Sequence, residues 1–284
     1  MFNFVMVLKQ IEGTDSMPYV QVEDLSIYYE IEGNGEPLFL LHGMSNNSQS
    51  WREQIQMLMN HYTVIAWDAP GYGKSSNPNI EFRNFKQFAR VLNGMLEQLN
   101  LEKIYLLGHS MGAAIAIDFC TLYPHKIKKL ILADPTRGAA ALDSIVNEQK
   151  LKERLFSIGN LDPEEIADKR IKALLSPYAS KEVYQRVKEI MVQVRPAGYR
   201  SVAYSLYDLN QMDVLPSIDV PVLVMCGELD SVTPVKEAAA IHDQLKNSQL
   251  VIIPKGGHLC YQEYPESFNS TIIEFLQTHT NITI

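Results

Sequence analysis

Lys103-Ile104-Tyr105-Leu106-Leu107 runs directly into Gly108-His109-Ser110-Met111-Gly112, and that turn runs directly into the apolar stretch Ala113 to Tyr123, which Pro124 ends. The first segment is short and rich in large apolar side chains, as a buried strand is; the last is rich in Ala, Ile and Leu, as a buried helix is. A strand, a tight turn and a helix therefore meet at Ser110. The two glycines suit such a turn, because it leaves no room for Cβ atoms where strand and helix approach. It projects the serine hydroxyl at a helix N-terminus, where backbone N–H groups and the positive end of the helix dipole face any negative charge that develops on a substrate.

A serine at neutral pH is a weak nucleophile, so this reading demands a base and an orienting carboxylate further along the chain. Val220 to Met225 reads as a buried strand, and Cys226-Gly227-Glu228-Leu229-Asp230 follows, which places Asp230 at that strand's C-terminal end. Gln249 to Pro254 reads as another strand, followed by Lys255-Gly256-Gly257-His258. Ser110, Asp230 and His258 are thus the catalytic candidates, all at carboxyl ends of strands, where open parallel sheets carry their sites. Asp134, at the end of the strand Lys129 to Ala133, is the alternative acid. An oxyanion hole needs two converging N–H donors. Met111, after the serine, is one candidate; Met44, in the loop after the apolar strand Pro37 to Leu41, is the other. His42, His109 and Asp68 read as loop-organising residues.

Along the chain, apolar strand-like runs alternate with amphipathic helix-like runs, the signature of a mostly parallel sheet covered on both faces. Tyr19 to Val22 and Leu25 to Ile31 form an entry hairpin; Trp51 to Asn60 and Phe85 to Leu99 read as helices and Thr63 to Asp68 as a strand. After Arg137 the strand pattern stops. Charged helical periodicity takes over in Ile145 to Ser157, Pro163 to Leu175 and Lys181 to Val194.

These motifs resemble the α/β-hydrolase superfamily. Besides Gly108 to Gly112, the pair His42-Gly43, the loop Asp68-Ala69-Pro70-Gly71-Tyr72-Gly73-Lys74-Ser75 and Gly256-Gly257-His258 fall in the family's order, and the likeness runs from about Tyr19 to Gln277. It implies an α/β-hydrolase fold, with a mostly parallel eight-stranded sheet, helices on both faces and an inserted helical cap. The core is then residues 17–136 and 216–284, the cap 137–215, and residues 1–16 an extension outside the fold, with Met17 a possible natural start. In detail the chain is similar to 3-oxoadipate enol-lactonases, small esterases and carbon-carbon bond hydrolases of aromatic degradation. Haloalkane dehalogenases and epoxide hydrolases carry an aspartate where this chain has Ser110, which disfavours both activities.

Net charge is −8 among 284 residues, with no basic stretch, which argues against nucleic acid as a partner. No apolar run approaches the roughly 18 residues of a membrane span, and Met1 to Val7 is too short and lacks the basic start of a signal peptide. Three cysteines, Cys120, Cys226 and Cys260, fit reduced thiols in a cytoplasm better than a disulfide framework. No His/Cys/Asp/Glu group has metal-ligand spacing along the sequence, and the chemistry requires no cofactor. The expected partners are a small acyl substrate and water, in a monomer or homodimer.

For substrate binding the candidates are Tyr199, Tyr204 and Tyr207, aromatic rings with a polar tip that suit either a partly apolar pocket or the interior of the cap. Arg137 and Arg195 are candidates for holding a substrate carboxylate, with surface solvation as the alternative. The cap holds 12 Lys/Arg against 11 Asp/Glu, the remainder 13 against 22, which solvated helix faces or attraction of an anionic substrate would each explain. Three functions follow: a serine hydrolase of small esters or lactones, a carbon-carbon bond hydrolase using the same residues, and a ligand sensor without catalysis. Peroxide replacing water would add a perhydrolase side activity to the first.

Overall fold

A computed structural model describes residues 18–278; the expectations for residues 1–16 and for Met17 fall outside them. The chain enters through strands β1 (Tyr19–Val22) and β2 (Leu25–Glu32), then β3 (Glu36–Leu41). A 3-10 turn at Ser48–Trp51 leads into helix α1 (Arg52–Leu58), followed by β4 (Tyr62–Trp67), α2 (Phe85–Gln98), β5 (Ile104–His109), α3 (Met111–Leu122) and β6 (Ile127–Ala133). Four helices come next: α4 (Ser144–Asn160), α5 (Pro163–Leu174), α6 (Lys181–Met191) and α7 (Pro196–Tyr207). The chain then returns to β7 (Val222–Gly227), α8 (Val235–His242), β8 (Ser248–Ile253), α9 (Cys260–Glu263) and α10 (Pro265–Gln277).

The eight strands form one sheet in the order β1-β2-β4-β3-β5-β6-β7-β8. β2 pairs antiparallel with β1 and β4, and every other pairing is parallel. Side chains alternate between faces with the strand period of two. Phe39 and Leu41 join one apolar cluster with α2, α3 and α8, whereas Leu38 and Leu40 join another with α1 and α10. Burial on both faces explains why the central strands read as continuous apolar runs rather than alternating ones. α2 is amphipathic, burying Phe85, Phe88, Ala89, Leu92, Met95 and Leu96 at helical spacing, and Asn84 with Gln87 caps its start.

Most expected elements appear, with ends shifted by one to three residues. Helix α7 is not among the helical runs read from the sequence, which end at Val194. Proline at the first helical position costs nothing, since that N–H has no intrahelical partner in any case. Gly198 is required by packing, because a Cβ there would lie 2.5 Å from the Gly71 carbonyl oxygen.

Candidate active site

Ser110 sits between β5 and α3 with φ 53° and ψ −112°, a left-handed conformation that costs a non-glycine residue roughly 1–3 kcal/mol. The surroundings hold it there. Its N–H donates to the Ala133 carbonyl at 2.8 Å. A Cβ on Gly108 would lie 2.1 Å from the Gly112 carbonyl oxygen, and one on Gly112 would lie 2.1 Å from that of Leu41. Both glycines are therefore demanded by close approach of backbone to backbone.

Three loops at the carboxyl ends of β5, β7 and β8 bring Ser110, Asp230 and His258 together. Ser110 Oγ is 3.0 Å from His258 Nε2, and His258 Nδ1 is 2.7 Å from Asp230 Oδ2. A carboxylate can only accept, so Nδ1 carries the proton and Nε2 is free to accept one from the serine. Asp230 also accepts from the N–H groups of Val232 and Thr233 at 2.7 and 2.9 Å and from the Thr233 hydroxyl at 2.7 Å. Burial pushes its carboxyl upward in pKa, but the His258 charge and these hydrogen bonds outweigh burial and leave it lowered. Thr233 was not singled out in the sequence; a hydroxyl three residues after a candidate acid is the signal that would have found it.

Asp134 lies beside this group without bonding the imidazole. It accepts from the Gly227 N–H at 2.9 Å and from the Cys260 thiol at 3.3 Å. Complete burial, with the Asp230 carboxylate nearby, pushes it well above the usual carboxylate range, which favours its protonated form. Asp134, Asp230 and His258 thus offer ligand-type atoms within 4.8 Å of one another, a grouping that sequence spacing could not reveal. Those atoms are engaged by Gly227, Cys260, Thr233 and Ser110.

His109 does more than neighbour the serine. Its Nε2–H donates to the backbone carbonyl of His258 at 2.7 Å, fixing the loop that carries that histidine. Burial, then the nearby His258, lowers its pKa to about 3, so it stays neutral. His42 accepts the Ala69 N–H on Nε2 at 3.0 Å and faces the Gly43 carbonyl with Nδ1 at 2.9 Å. Asp68 accepts the N–H groups of Ser48 and Lys74, each at 2.7 Å. Both tie loops together.

Above these residues lies a cavity of about 670 Å³, lined by Met44, Ser110, Met111, Tyr199 and His258 among others. Met111 opens α3, so its N–H has no intrahelical partner; the Met44 N–H donates to no group among the described residues. Of the substrate-binding candidates Tyr199 lines the cavity, and the other four are not among its lining residues. Arg137 is turned away by a bidentate pair with Glu237, at 2.7 and 3.1 Å. Arg195 donates to the carbonyls of Tyr72 and Ser75, at 2.9 and 2.5 Å, and so fastens α7 to the loop after β4. Tyr204 stacks under Arg83, with the guanidinium 3.6 Å from its ring centre. Tyr207 is not among the lining residues, whereas its neighbour Leu206 is. The basic residues that do line it, Lys150, Arg154, Lys169, Arg170 and Lys236, carried no motif in the sequence.

The family model for the alpha/beta hydrolase fold matches residues 36–265. The chain belongs to this family. A Synechocystis protein that carries the name of a non-heme chloroperoxidase is 31% identical over 92% of this chain and 100% of its own. A 2-hydroxy-6-oxo-6-(2'-aminophenyl)hexa-2,4-dienoic acid hydrolase from Metapseudomonas resinovorans is 28% identical over 93% of this chain and 92% of its own. Among solved structures, a thermophilic esterase from Thermogutta terrifontis with malate bound superposes with a TM-score of 0.83 at 27% identity, over 92% of this chain and 96% of that one. Among the described residues no helix is long and apolar enough to cross a membrane.

Proposed function

We propose that this hydrolase-family chain cleaves small carboxylic esters or lactones through an acyl-enzyme on Ser110. The observation that carries the reading is the unbroken relay at the cavity floor, Ser110 to His258 at 3.0 Å and His258 to Asp230 at 2.7 Å. His258 Nε2 takes the hydroxyl proton as Ser110 Oγ attacks the carbonyl carbon, and the N–H groups of Met44 and Met111 hold the oxyanion that forms. The tetrahedral intermediate collapses, the bond to the leaving oxygen breaks, and His258 returns the proton to that oxygen. Water then enters, loses a proton to His258 and attacks the acyl carbon; the bond to Ser110 Oγ breaks, His258 returns the proton to Oγ, and the acid leaves. Asp230 keeps the imidazole in the right tautomer and stabilises its cation without taking the proton. Thr233 and His109 position the acid and the histidine loop, and residues 137–215 act as the cap. No cofactor enters these steps.

A second reading is favoured by the dienoic acid hydrolase relative: the same residues could cleave a carbon-carbon bond. Fluorophosphonate labelling read by intact mass, wild type against Ser110→Ala, tests the common premise. Stoichiometric labelling lost in the variant is expected; absence of labelling in folded wild type would overturn both readings in favour of a ligand sensor. A panel of simple esters beside a ring-cleavage dienoate then divides them, since turnover of the dienoate alone would displace the ester reading.

A further inference from the structure

The cavity over Ser110 is not balanced in charge. Five basic side chains line it against Glu153 and Glu237, and Glu237 is already held by Arg137. Lys150, Lys169 and Lys236 are exposed, where water solvates a charge cheaply. Arg154 on α4 and Arg170 on α5 are different: both are half-buried, and among the described residues neither is paired with a carboxylate. Other half-buried arginines are engaged elsewhere, Arg137 with Glu237, Arg186 with Glu53 and Arg200 with Glu81, while Arg195 donates to the carbonyls of Tyr72 and Ser75.

Arg170 lies beside the candidate oxyanion site. Arg170 Nη1 lies 3.3 Å from the Tyr199 hydroxyl and 3.9 Å from Met44 Sδ, so its guanidinium borders the residue assigned to the oxyanion hole. Its Nε is buried with no hydrogen-bond partner among the described residues. Arg154 makes the cost plain: burial and the positive charge of Arg170 hold its guanidinium below the usual arginine range. Leaving two such groups desolvated and unpaired is unfavourable, whereas an anion between them would satisfy both, and planar forks match a carboxylate best.

We propose that the substrate is an anionic ester whose carboxylate binds between Arg154 and Arg170 while its scissile carbonyl lies at Ser110. This inference rests on the hydrolase reading above, and its test keeps the two apart. 4-Nitrophenyl monoesters of succinate, glutarate and adipate are compared with the same compounds capped as methyl esters, so that nitrophenolate release reports the same bond with and without the charge. Wild type is expected to prefer the anionic member at the chain length that fits. Arg154→Gln or Arg170→Gln should lower the ratio of anionic to capped kcat/KM by roughly 10- to 100-fold, the worth of a charge-assisted hydrogen bond. Arg170→Lys should recover part of it, and Arg200→Gln, whose partner is Glu81, should leave the ratio where it is. No preference in wild type across the series, or equal losses on both esters, would overturn the inference while leaving the nucleophile intact, as fluorophosphonate labelling of each variant reports. Calorimetric titration with glutarate and with neutral glutaramide decides the subsite independently of turnover. Glutarate binding lost in either arginine variant supports it; no glutarate binding at millimolar concentration in wild type sinks it even if Ser110 is fully reactive.

Discussion

The loops after β5, β7 and β8 and the helices α4 to α7 border the same cavity, but they are built differently. The loops after β5 and β7 grow from fully buried strands and that after β8 from a half-buried edge strand, and their candidate catalytic side chains are fully engaged: Asp230 accepts four hydrogen bonds, and His258 is held through its ring and its carbonyl. The helices present charged side chains toward the cavity without carboxylate partners, as at Arg154 and Arg170, and Arg170 Nε makes no hydrogen bond among the described residues. Contacts that tie the two regions are specific: the Leu259 N–H donates to the Leu174 carbonyl at 3.2 Å, and Glu263 accepts from the N–H groups of Ser176 and Gly257 at 3.0 and 2.9 Å. A rigid, self-satisfied region suits chemistry that needs fixed geometry, and an unsatisfied one suits recognition of a ligand that completes it.

The largest effects should fall on the engaged loops. Ser110→Ala and His258→Ala are expected to lower ester turnover by about 10³-fold or more without changing the melting temperature beyond a few degrees. Asp230→Asn should cost roughly 10²- to 10⁴-fold, because the imidazole loses its tautomer. Asp134→Asn, which can keep accepting from Gly227, should stay within about tenfold of wild type. Steady-state kinetics on one ester covers all four, and a larger loss for Asp134→Asn than for Asp230→Asn would reverse the assignment of the acid.

Backbone packing separates the regions next. Gly112→Ala places a Cβ 2.1 Å from the Leu41 carbonyl oxygen and should destabilise by about 3 kcal/mol or more, read as a lower urea midpoint or loss of folded protein. Were it tolerated, the elbow would be softer than its geometry implies.

Acid should act through His109. Its folded pKa is lowered to about 3, below the ordinary value near 6.5, so between those values the unfolded chain binds a proton that the folded one does not. Stability from this group is therefore full above about pH 6.5 and is lost as pH falls toward 3, at up to about 1.4 kcal/mol per pH unit. Urea titrations at a series of pH values should show a shallower slope for His109→Gln than for wild type; parallel slopes would remove His109 from the account. Smallest of all is Gly159, near the end of α4, where an added Cβ would meet nothing within 4 Å. Gly159→Ala should therefore stabilise by roughly 0.5–1 kcal/mol, measured by thermal melting.

The strand–turn–helix around Ser110 was legible because its signals are local: an apolar run, two glycines at fixed offsets, and a second apolar run with a proline stop. Asp230 and His258 were legible because each follows a strand-like run directly. Arg137 and Arg195 stayed open between a substrate carboxylate and the surface for the opposite reason. Arginine in a charged helical stretch looks the same whether it pairs with a distant glutamate, caps a distant carbonyl or faces a cavity, and Glu237, Tyr72 and Ser75 lie far away in the chain. Tyr204 and Tyr207 stayed open between a pocket and the cap interior for a related reason: with α7 unrecognised, their angular offset from Tyr199 could not be drawn.

By itself the sequence determined the alternating fold, the order along the chain of the three candidate catalytic side chains and the strand–turn–helix around the serine, since period and backbone conformation are encoded by residues adjacent in the chain. Only the tertiary structure decided which carboxylate touches the imidazole, that Asp134 is buried behind it, and which arginines stand without a carboxylate partner above Ser110. Those outcomes depend on which groups distant in sequence come within about 3–4 Å of one another, and burial and hydrogen bonding then set the charge that each can carry.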